Sequence, residues 1–417
     1  MRIMIVTDQY PPTVGGVPTV THGLAVDLTN RGHQVCVIAP SYGTRDVERI
    51  EQKVHVYRFS SFEWPTYEAI HIPFLPFGPI RKLLKKTDPD IVHIHSPVVL
   101  GNIAEILAGT LHKPVIATNH FLPINMSRSL TSDQFIGKHF SNISYAYLVY
   151  FCNRCEFVTA PTITALNLLF QHGLRAPAQV ISNGIDLQRF SPGERDEDFR
   201  RSLQLPAGRP LVLSVNRLSE EKRIDVLIDA AAKMSTDAHI AITSTGPSEA
   251  ALRRQVERLG LEDRVTFLGF MRDVDLVSLY RLADVFVIPS EADLQSLTTM
   301  EAMACGLPIL AANAYALPEL VHHEENGYLF HPRNSDECAH YLDKLLANGA
   351  LRRQMGIKSL EIVSEHDRVQ VLDTWEALYH QLSSEFAEAR QRKLWFFYPP
   401  QRRLNSRARR RSISQRS

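Results

Sequence analysis

The stretch ADVFVIPSEADLQSLTTMEAMACGLPILAANAYALPELVHHEENGYLF, residues 283–330, gathers polar groups at one strand-to-helix junction. An apolar strand ends at Pro289-Ser290, a polar loop carries Asp293, and the pattern predicts a helix from about Gln295-Ser296. The backbone N–H groups of Ser296, Leu297 and Thr298 then lie at a positive helix end without intrahelical partners, an arrangement suited to a phosphate. Glu301 falls about one and a half turns into that helix, where its carboxylate can accept hydrogen bonds from sugar hydroxyls. An isolated acidic pair of this kind also reads as a helix cap and a solvated helix residue.

Other chemistries lack their residues. No GxGxxG follows the first strand and no GxxxxGK[ST] occurs, which removes support for nicotinamide-dependent and P-loop chemistry. There is no GxSxG and no HExxH. Three Asp-x-Asp triplets exist, but Asp88-Pro89-Asp90 precedes its strand, Asp196-Glu197-Asp198 lies in a charged linker and Asp273-Val274-Asp275 opens a helix, where aspartates act as caps. No metal site is expected. Cys152 and Cys155 form a CxxC in an apolar stretch with no second pair at zinc-finger spacing, so buried thiols are expected.

The elements that must position these groups alternate between strand-length apolar runs and amphipathic helices, which indicates a parallel α/β fold. In the first half, strands are expected at residues 2–7, 34–39, 90–95, 114–118, 157–160 and 179–181, with a helix near residues 20–31. A turn-rich and then charged segment marks a boundary, and a fresh first strand at residues 210–215 precedes a helix at 224–234 and strands at 239–243, 265–268 and 285–289. Two Rossmann-like halves facing a central cleft follow, with ligands expected at the carboxyl ends of strands. A last helix at about residues 366–390 carries Val369, Leu372, Trp375, Leu378, Tyr379 and Leu382 at core-facing spacing. The expected units are 1–185, 186–365, the crossover helix 366–390 and a basic tail 391–417.

The chain has 417 residues, with 46 Lys/Arg against 45 Asp/Glu. From Arg390 to Ser417 there are ten basic residues and no acidic one, leaving 36 basic against 45 acidic before it, a body near −9. That acidic body argues against nucleic-acid binding by the whole chain. Five cysteines suit a reducing compartment. Met1 runs straight into a strand-like segment, and no run of 18 apolar residues occurs, so a cytoplasmic protein, free or peripheral on the cytoplasmic membrane face, is expected.

The segment Asp293-(LQSLTTM)-Glu301-Ala302-Met303-Ala304-Cys305-Gly306-Leu307-Pro308-Ile309 resembles the E-x7-E and EAMAxGxPV signature of the retaining glycosyltransferases of family 4. The likeness extends over about residues 1–385. It includes Asp8-Gln9-Tyr10-Pro11-Pro12 with Gly15-Gly16-Val17, Arg31-Gly32-His33-Gln34-Val35, Asp90-Ile91-Val92-His93-Ile94-His95-Ser96-Pro97, Ser182-Asn183-Gly184-Ile185-Asp186, and Asn216-Arg217-Leu218-Ser219 with Lys222. The resemblance implies a GT-B fold whose C-terminal helix crosses back to the first domain. It implies a nucleotide-sugar co-substrate (UDP- or GDP-hexose), no cofactor and no metal. Arg217 and Lys222 match the basic pair that holds the donor diphosphate, Glu301 the glutamate on the donor ribose, and Asp293 the acid on the transferred sugar, here one methylene shorter. Ser296 stands where glycine is usual. Gly15 and Gly16 match the loop that approaches the diphosphate, and His120 a histidine near the reacting sugar, although a lone histidine after a strand is equally a structural residue.

For the acceptor, Arg81, Lys82, Lys85 and Lys86 follow the apolar Pro73-Phe74-Leu75-Pro76-Phe77, a pattern that fits an anionic membrane surface or a solvated helix face. Family members that glycosylate phosphatidylinositol or diacylglycerol use a similar region, and the tail adds Trp395-Phe396-Phe397-Tyr398 among arginines. The expected activity is hexose transfer to a membrane lipid or glycolipid. The alternatives are a soluble or polysaccharide acceptor, or a non-catalytic GT-B module that binds sugar nucleotide.

Overall fold

The computed structural model describes residues 1–63, 71–123 and 134–391. The basic tail with its aromatic residues lies outside them. The chain forms two compact units, Met1–Ser182 with Val371–Ser417, and Asn183–Gln370.

The first unit has the strands β1 Arg2–Val6, β2 Gln34–Pro40, β3 Val47–Glu51, β4 Val54–Phe59, β5 Ser61–Glu63, β6 His71–Pro73, β7 Ile91–Ile94, β8 Val115–Thr118, β9 Phe157–Ala160 and β10 Ala178–Val180, of which β1, β2, β7 and β8 are short apolar runs rich in Val and Ile. The main sheet has the order β10-β9-β8-β7-β1-β2-β4-β3, while β5 and β6 pair separately. Residues of β7 and β8 are buried throughout, as expected for central strands covered on both faces. The edge pair departs from the sequence expectation. β3 is antiparallel to β4 and reads VERIE, mostly exposed, so it lacks the continuous apolar run that marks β2 and β7.

The helix Gly16–Asn30 starts four residues earlier than its apolar spacing suggests. Gly15 is its N-cap and Pro18 falls in its first turn, where the missing N–H costs nothing. At the exit of β1, Asp8 Oδ1 accepts from the Leu100 backbone N–H at 2.9 Å and so ties down the start of the helix Val99–Thr110. Gly101 in that helix sits against the β7 exit loop, and a Cβ there would lie 2.0 Å from the Ser96 carbonyl oxygen.

The C-terminal helix Arg368–Gln391 enters this unit's core with Leu372, Trp375, Leu378, Tyr379 and Leu382, packed among Ile3, Ile5, Val35 and Val37. Val369 does not join them and is 51% exposed, because the buried stripe begins only at Val371. The Arg31-Gly32-His33 turn reads in sequence as a helix stop and also serves as a clasp. Arg31 pairs with Asp373 and Glu376, and the His33 ring contacts Glu376 at 2.6 Å.

The second unit is a six-stranded parallel sheet of β11 Leu211–Val215, β12 His239–Thr243, β13 Val265–Gly269, β14 Val285–Ile288, β15 Ile309–Ala312 and β16 Gly327–Phe330. Its order, β13-β12-β11-β14-β15-β16, is the doubly wound arrangement with a reversal between β11 and β14. One apolar cluster gathers Leu227, Ile240, Val285 and Leu342, and another gathers Leu213, Phe286, Ile288 and Met303.

The Asp-x-Asp triplets all find structural partners. Asp88 and Asp90 bind Arg2, Asp196 caps the helix Glu197–Ser202, and Asp275 pairs with Arg272. Asp273 is the first residue of its helix and not the N-cap, a place Arg272 takes. All five cysteines are free and buried, and burial pushes the Cys152 thiol up to about 12. Among the described residues no helix is long and apolar enough to cross a membrane.

Gly101→Ala forces a methyl group into backbone and is expected to cost roughly 1–3 kcal/mol, the range for overpacking. Gly109→Ala, in the same helix with nothing within 4 Å of its Cβ position, is expected to be neutral or to stabilise by up to about 1 kcal/mol. Urea midpoints of the two variants should therefore move in opposite directions from wild type, or the Gly109 midpoint should stay put.

Candidate active site

The strand-order reversal of the second unit brings together the loops that leave β11 and β14. After β11 the chain runs through Asn216 and the exposed Arg217 to a single 3-10 turn, Glu220–Lys222. The loop after β12 holds this segment from behind. Leu218 donates to the Thr245 carbonyl at 3.0 Å and accepts from Ser248 N–H at 2.8 Å. Gly246 is required there, because a Cβ would stand 2.3 Å from the Leu218 carbonyl oxygen.

After β14 runs the polar loop that the sequence suggests, and its Ser290, Glu291, Gln295 and Ser296 are buried. Arg333 grips Glu291 with two bonds, Nε–Oε1 at 2.6 Å and Nη2–Oε2 at 3.0 Å. Gln295 Oε1 accepts from the Asn183 backbone N–H at 2.8 Å, which fixes the Asn183-Gly184-Ile185-Asp186 motif to the same loop. At the centre, Lys222 Nζ meets Asp293 Oδ1 at 2.7 Å, with the two side chains only 18% and 14% exposed. The other oxygen, Asp293 Oδ2, is buried and has no hydrogen-bond partner.

The helix expected near residue 295 runs Leu297–Ala304. Ser296 is its N-cap, and its Oγ accepts from Thr299 N–H at 3.2 Å and from Thr299 Oγ1 at 2.8 Å. Its backbone is extended (φ −81°, ψ 110°), so nothing here demands glycine, and the hydroxyl supplies a cap that glycine lacks. Leu297 and Thr298 occupy the first turn, whose N–H groups have no intrahelical acceptor. Glu301 is not a freely solvated helix residue: its Oε2 accepts from the Tyr280 hydroxyl at 2.7 Å. Burial raises its carboxyl to about 7, partly offset by the Tyr280 hydrogen bond.

In the first unit, Gly15 (φ 159°) caps the Gly16–Asn30 helix, and a Cβ on it would meet only Pro18 Cδ, at 3.7 Å. Packing within the protein therefore does not demand its small size. His120 follows β8, and its Nε2 lies 2.9 Å from His95 Nδ1. His93 and His95 are both buried. Arg81, Lys82, Lys85 and Lys86 form the exposed face of the helix Phe77–Thr87, whose Ile80, Leu83 and Leu84 are buried. Beside them Phe62, Phe74, Leu75 and Phe77 are exposed apolar side chains, with the Phe62 and Phe74 rings 5.5 Å apart.

Lys222 and Asp293 thus meet, and Ser296, Leu297, Thr298 and Glu301 share the helix that follows. Sequence reasoning missed the Glu291–Arg333 pair and the Tyr280–Glu301 bond, which join residues 42 and 21 positions apart and leave no local pattern. Among the described residues no group of three or more His, Cys, Asp or Glu side chains is arranged to hold a metal ion.

Residues 14–189 match the family described as Glycosyltransferase Family 4, and residues 195–361 match Glycosyl transferases group 1. A GDP-mannose-dependent alpha-mannosyltransferase of Mycolicibacterium smegmatis is 31% identical over 81% of this chain and 86% of its own. The chain belongs to glycosyltransferase family 4. An alpha-monoglucosyldiacylglycerol synthase of Streptococcus pneumoniae is 26% identical, covering 88% of this chain and 83% of its own. Among solved structures, sucrose-phosphate synthase from Thermosynechococcus elongatus superposes with a TM-score of 0.77 at 21% identity, over 92% of this chain and 99% of that one. The family 4 chain therefore has the GT-B fold, with two Rossmann-like domains, and is a glycosyltransferase.

The raised Glu301 carboxyl gives a pH test of the site. Below about 7 it is mostly neutral, and it gains its charge, and full acceptor strength, as pH rises through that value. The KM for a nucleotide-sugar donor is expected to fall between pH 6 and 8, and Glu301→Gln should flatten that dependence. An equal slope in wild type and variant would remove Glu301 from donor binding.

Proposed function

We propose that this family 4 enzyme is a retaining, metal-independent hexosyltransferase that moves a hexose from a UDP- or GDP-linked donor to a membrane lipid or glycolipid. The observation that carries this reading is the Lys222–Asp293 pair at the strand-order reversal, with one carboxylate oxygen engaged and the other buried without a partner. A buried acceptor atom of this kind suits a hydroxyl of the transferred sugar. Lys222 and Arg217 hold the diphosphate together with the N–H groups of Leu297 and Thr298 beside Ser296. These fixed positive groups offset the charge that develops on the leaving nucleoside diphosphate, the task a metal performs elsewhere. Glu301, with Oε2 on Tyr280, offers Oε1 to the ribose. In the first unit, Gly15 and Gly16 admit the diphosphate, and His120 binds the reacting sugar. The acceptor hydroxyl attacks on the face the diphosphate leaves, and the leaving phosphate oxygen takes its proton. Residues 1–185 serve as the acceptor side and 186–365 as the donor side.

The lipid acceptor is supported by the basic face of the helix Phe77–Thr87 next to exposed Phe74 and Leu75 (59% and 66% exposed), a pairing of charge and apolar surface that suits a peripheral site on an anionic bilayer. The mannosyltransferase and the monoglucosyldiacylglycerol synthase among its relatives favour a hexose donor and, in the second case, a lipid product.

Lys222→Ala, and separately Arg217→Ala, are expected to lower turnover by about 10²–10³, the usual loss for one fixed donor at a developing oxyanion. The assay is donor-dependent release of nucleoside diphosphate with a panel of nucleotide sugars and lipids, with product mass and anomeric configuration read out. Turnover should persist in excess chelator. Near-normal turnover in either variant would overturn its assigned role, and chelator loss rescued by magnesium or manganese would overturn metal independence.

Changing Arg81, Lys82, Lys85 and Lys86 together to Gln should weaken co-sedimentation with anionic vesicles by roughly 10²–10³, since each basic residue near such a surface contributes about 1 kcal/mol. Raising salt should reproduce most of that loss in wild type. A wild-type protein that stays in the supernatant with anionic vesicles at low salt would make a soluble acceptor the better reading.

A further inference from the structure

Three histidine rings lie side by side behind the C-terminal ends of β7 and β8. The His93 and His95 ring centroids are 4.0 Å apart, and those of His95 and His120 are 5.2 Å apart with planes only 9° from parallel. His93 is fully engaged, its Nδ1 with the Tyr379 hydroxyl at 2.7 Å and its Nε2 with Thr118 Oγ1 at 2.6 Å. His95 is different. Its Nδ1 lies 2.9 Å from His120 Nε2, while its own Nε2 is buried and meets no partner. His95 is 2% exposed, whereas His120 is half-buried.

Burial keeps the whole group uncharged at neutral pH. It lowers His120 to about 4 and His93 to about 3, and it holds His95 well below the ordinary imidazole value. Two neutral rings facing nitrogen to nitrogen share one hydrogen. If His120 supplied it, His95 would carry its hydrogen on Nε2 and strand a buried N–H donor, which would cost the desolvation of that donor. If His95 supplies it, its buried Nε2 keeps only a lone pair.

We propose that His95 is a positioning residue: its Nδ1–H donates to His120 Nε2, so His120 carries its own hydrogen on Nδ1. This rests on the reading of His120 as a sugar-binding residue. In that tautomer His120 has its basic lone pair occupied and presents only an N–H donor. It binds a sugar oxygen and does not act as a general base, so the acceptor's proton is left for the leaving phosphate oxygen. The same contact, made edge to edge with the two ring planes only 9° from parallel, restrains how His120 turns.

The test uses full-length protein labelled with ¹⁵N-histidine, with imidazole nitrogen–proton correlations assigned by comparison with His120→Gln. The expected spectrum has His120 protonated at Nδ1 and bare at Nε2, and the opposite tautomer overturns the proposal. Two variants add an independent readout. His95→Asn keeps an amide N–H near the position of Nδ1 and should preserve both the His120 tautomer and turnover. His95→Phe keeps the ring but loses the donor. It should release His120 into a mixture of tautomers and lower kcat about tenfold, the order expected for one lost neutral hydrogen bond, with donor KM moving less than about twofold. An unchanged tautomer with full turnover in the Phe variant overturns the positioning role. A lost tautomer with full turnover supports the His95 contact and overturns instead the reading of His120 as a sugar contact. Should His95→Phe fail to give a cooperative melt, the wild-type spectrum and His95→Asn decide the matter.

Discussion

The contact between Lys222 and Asp293 ties together the two loops that leave β11 and β14 in the second unit. A lysine and a carboxylate at 2.7 Å, each largely withdrawn from water, tolerate little displacement of either loop. The surroundings are built accordingly. The β12 loop holds Leu218 through its backbone, Gly246 gives way to the Leu218 carbonyl, and the Glu291–Arg333 fork fixes the chain two residues before Asp293. Asp293 Oδ2 is left buried without a hydrogen-bond partner. Leaving such an atom unpaired costs on the order of 1–3 kcal/mol, a cost that binding of a hydroxyl donor would relieve.

In the first unit the corresponding organiser is the C-terminal helix. Its Tyr379 hydroxyl reaches His93 on a central strand and joins a polar chain that continues through Thr118 to Thr159. A chain of hydrogen bonds inside an apolar core works only when each member is satisfied, so it specifies one seating of the helix. The Arg31 and His33 contacts with Glu376 fix the same helix at its outer side. The residues around His120 inherit this order, because the His93 ring packs against His95 with centroids 4.0 Å apart and His95 Nδ1 meets His120 Nε2 at 2.9 Å.

Much of this was legible in the chain itself. Strands such as β9 and β12 have the limits their apolar runs suggest, and the CxxC is a pair of buried thiols. The edge strand β3 escaped because an exposed antiparallel edge carries charged residues and has no unbroken apolar run. The apolar spacing places the start of the Gly16–Asn30 helix too late because its first turn holds Gly and Pro, residues that mark loops unless a cap geometry is known. Ser296 looked like a departure from a glycine position, yet its extended backbone makes it an ordinary N-cap.

The sequence by itself determined the alternation of strands and helices, the break into two units and the signature of family 4, because periodicity, turn residues and motif spacing are all properties of neighbouring residues. The tertiary structure alone decided which charges meet and which groups are left without partners. Lys222 and Asp293 are 71 residues apart, His95 and His120 are 25 apart, and His93 and Tyr379 are 286 apart. Those encounters follow from strand order and helix docking, which bring distant segments into contact and withdraw them from water. Burial then raises the Glu301 carboxyl and keeps the histidines neutral, and no spacing along the chain records it.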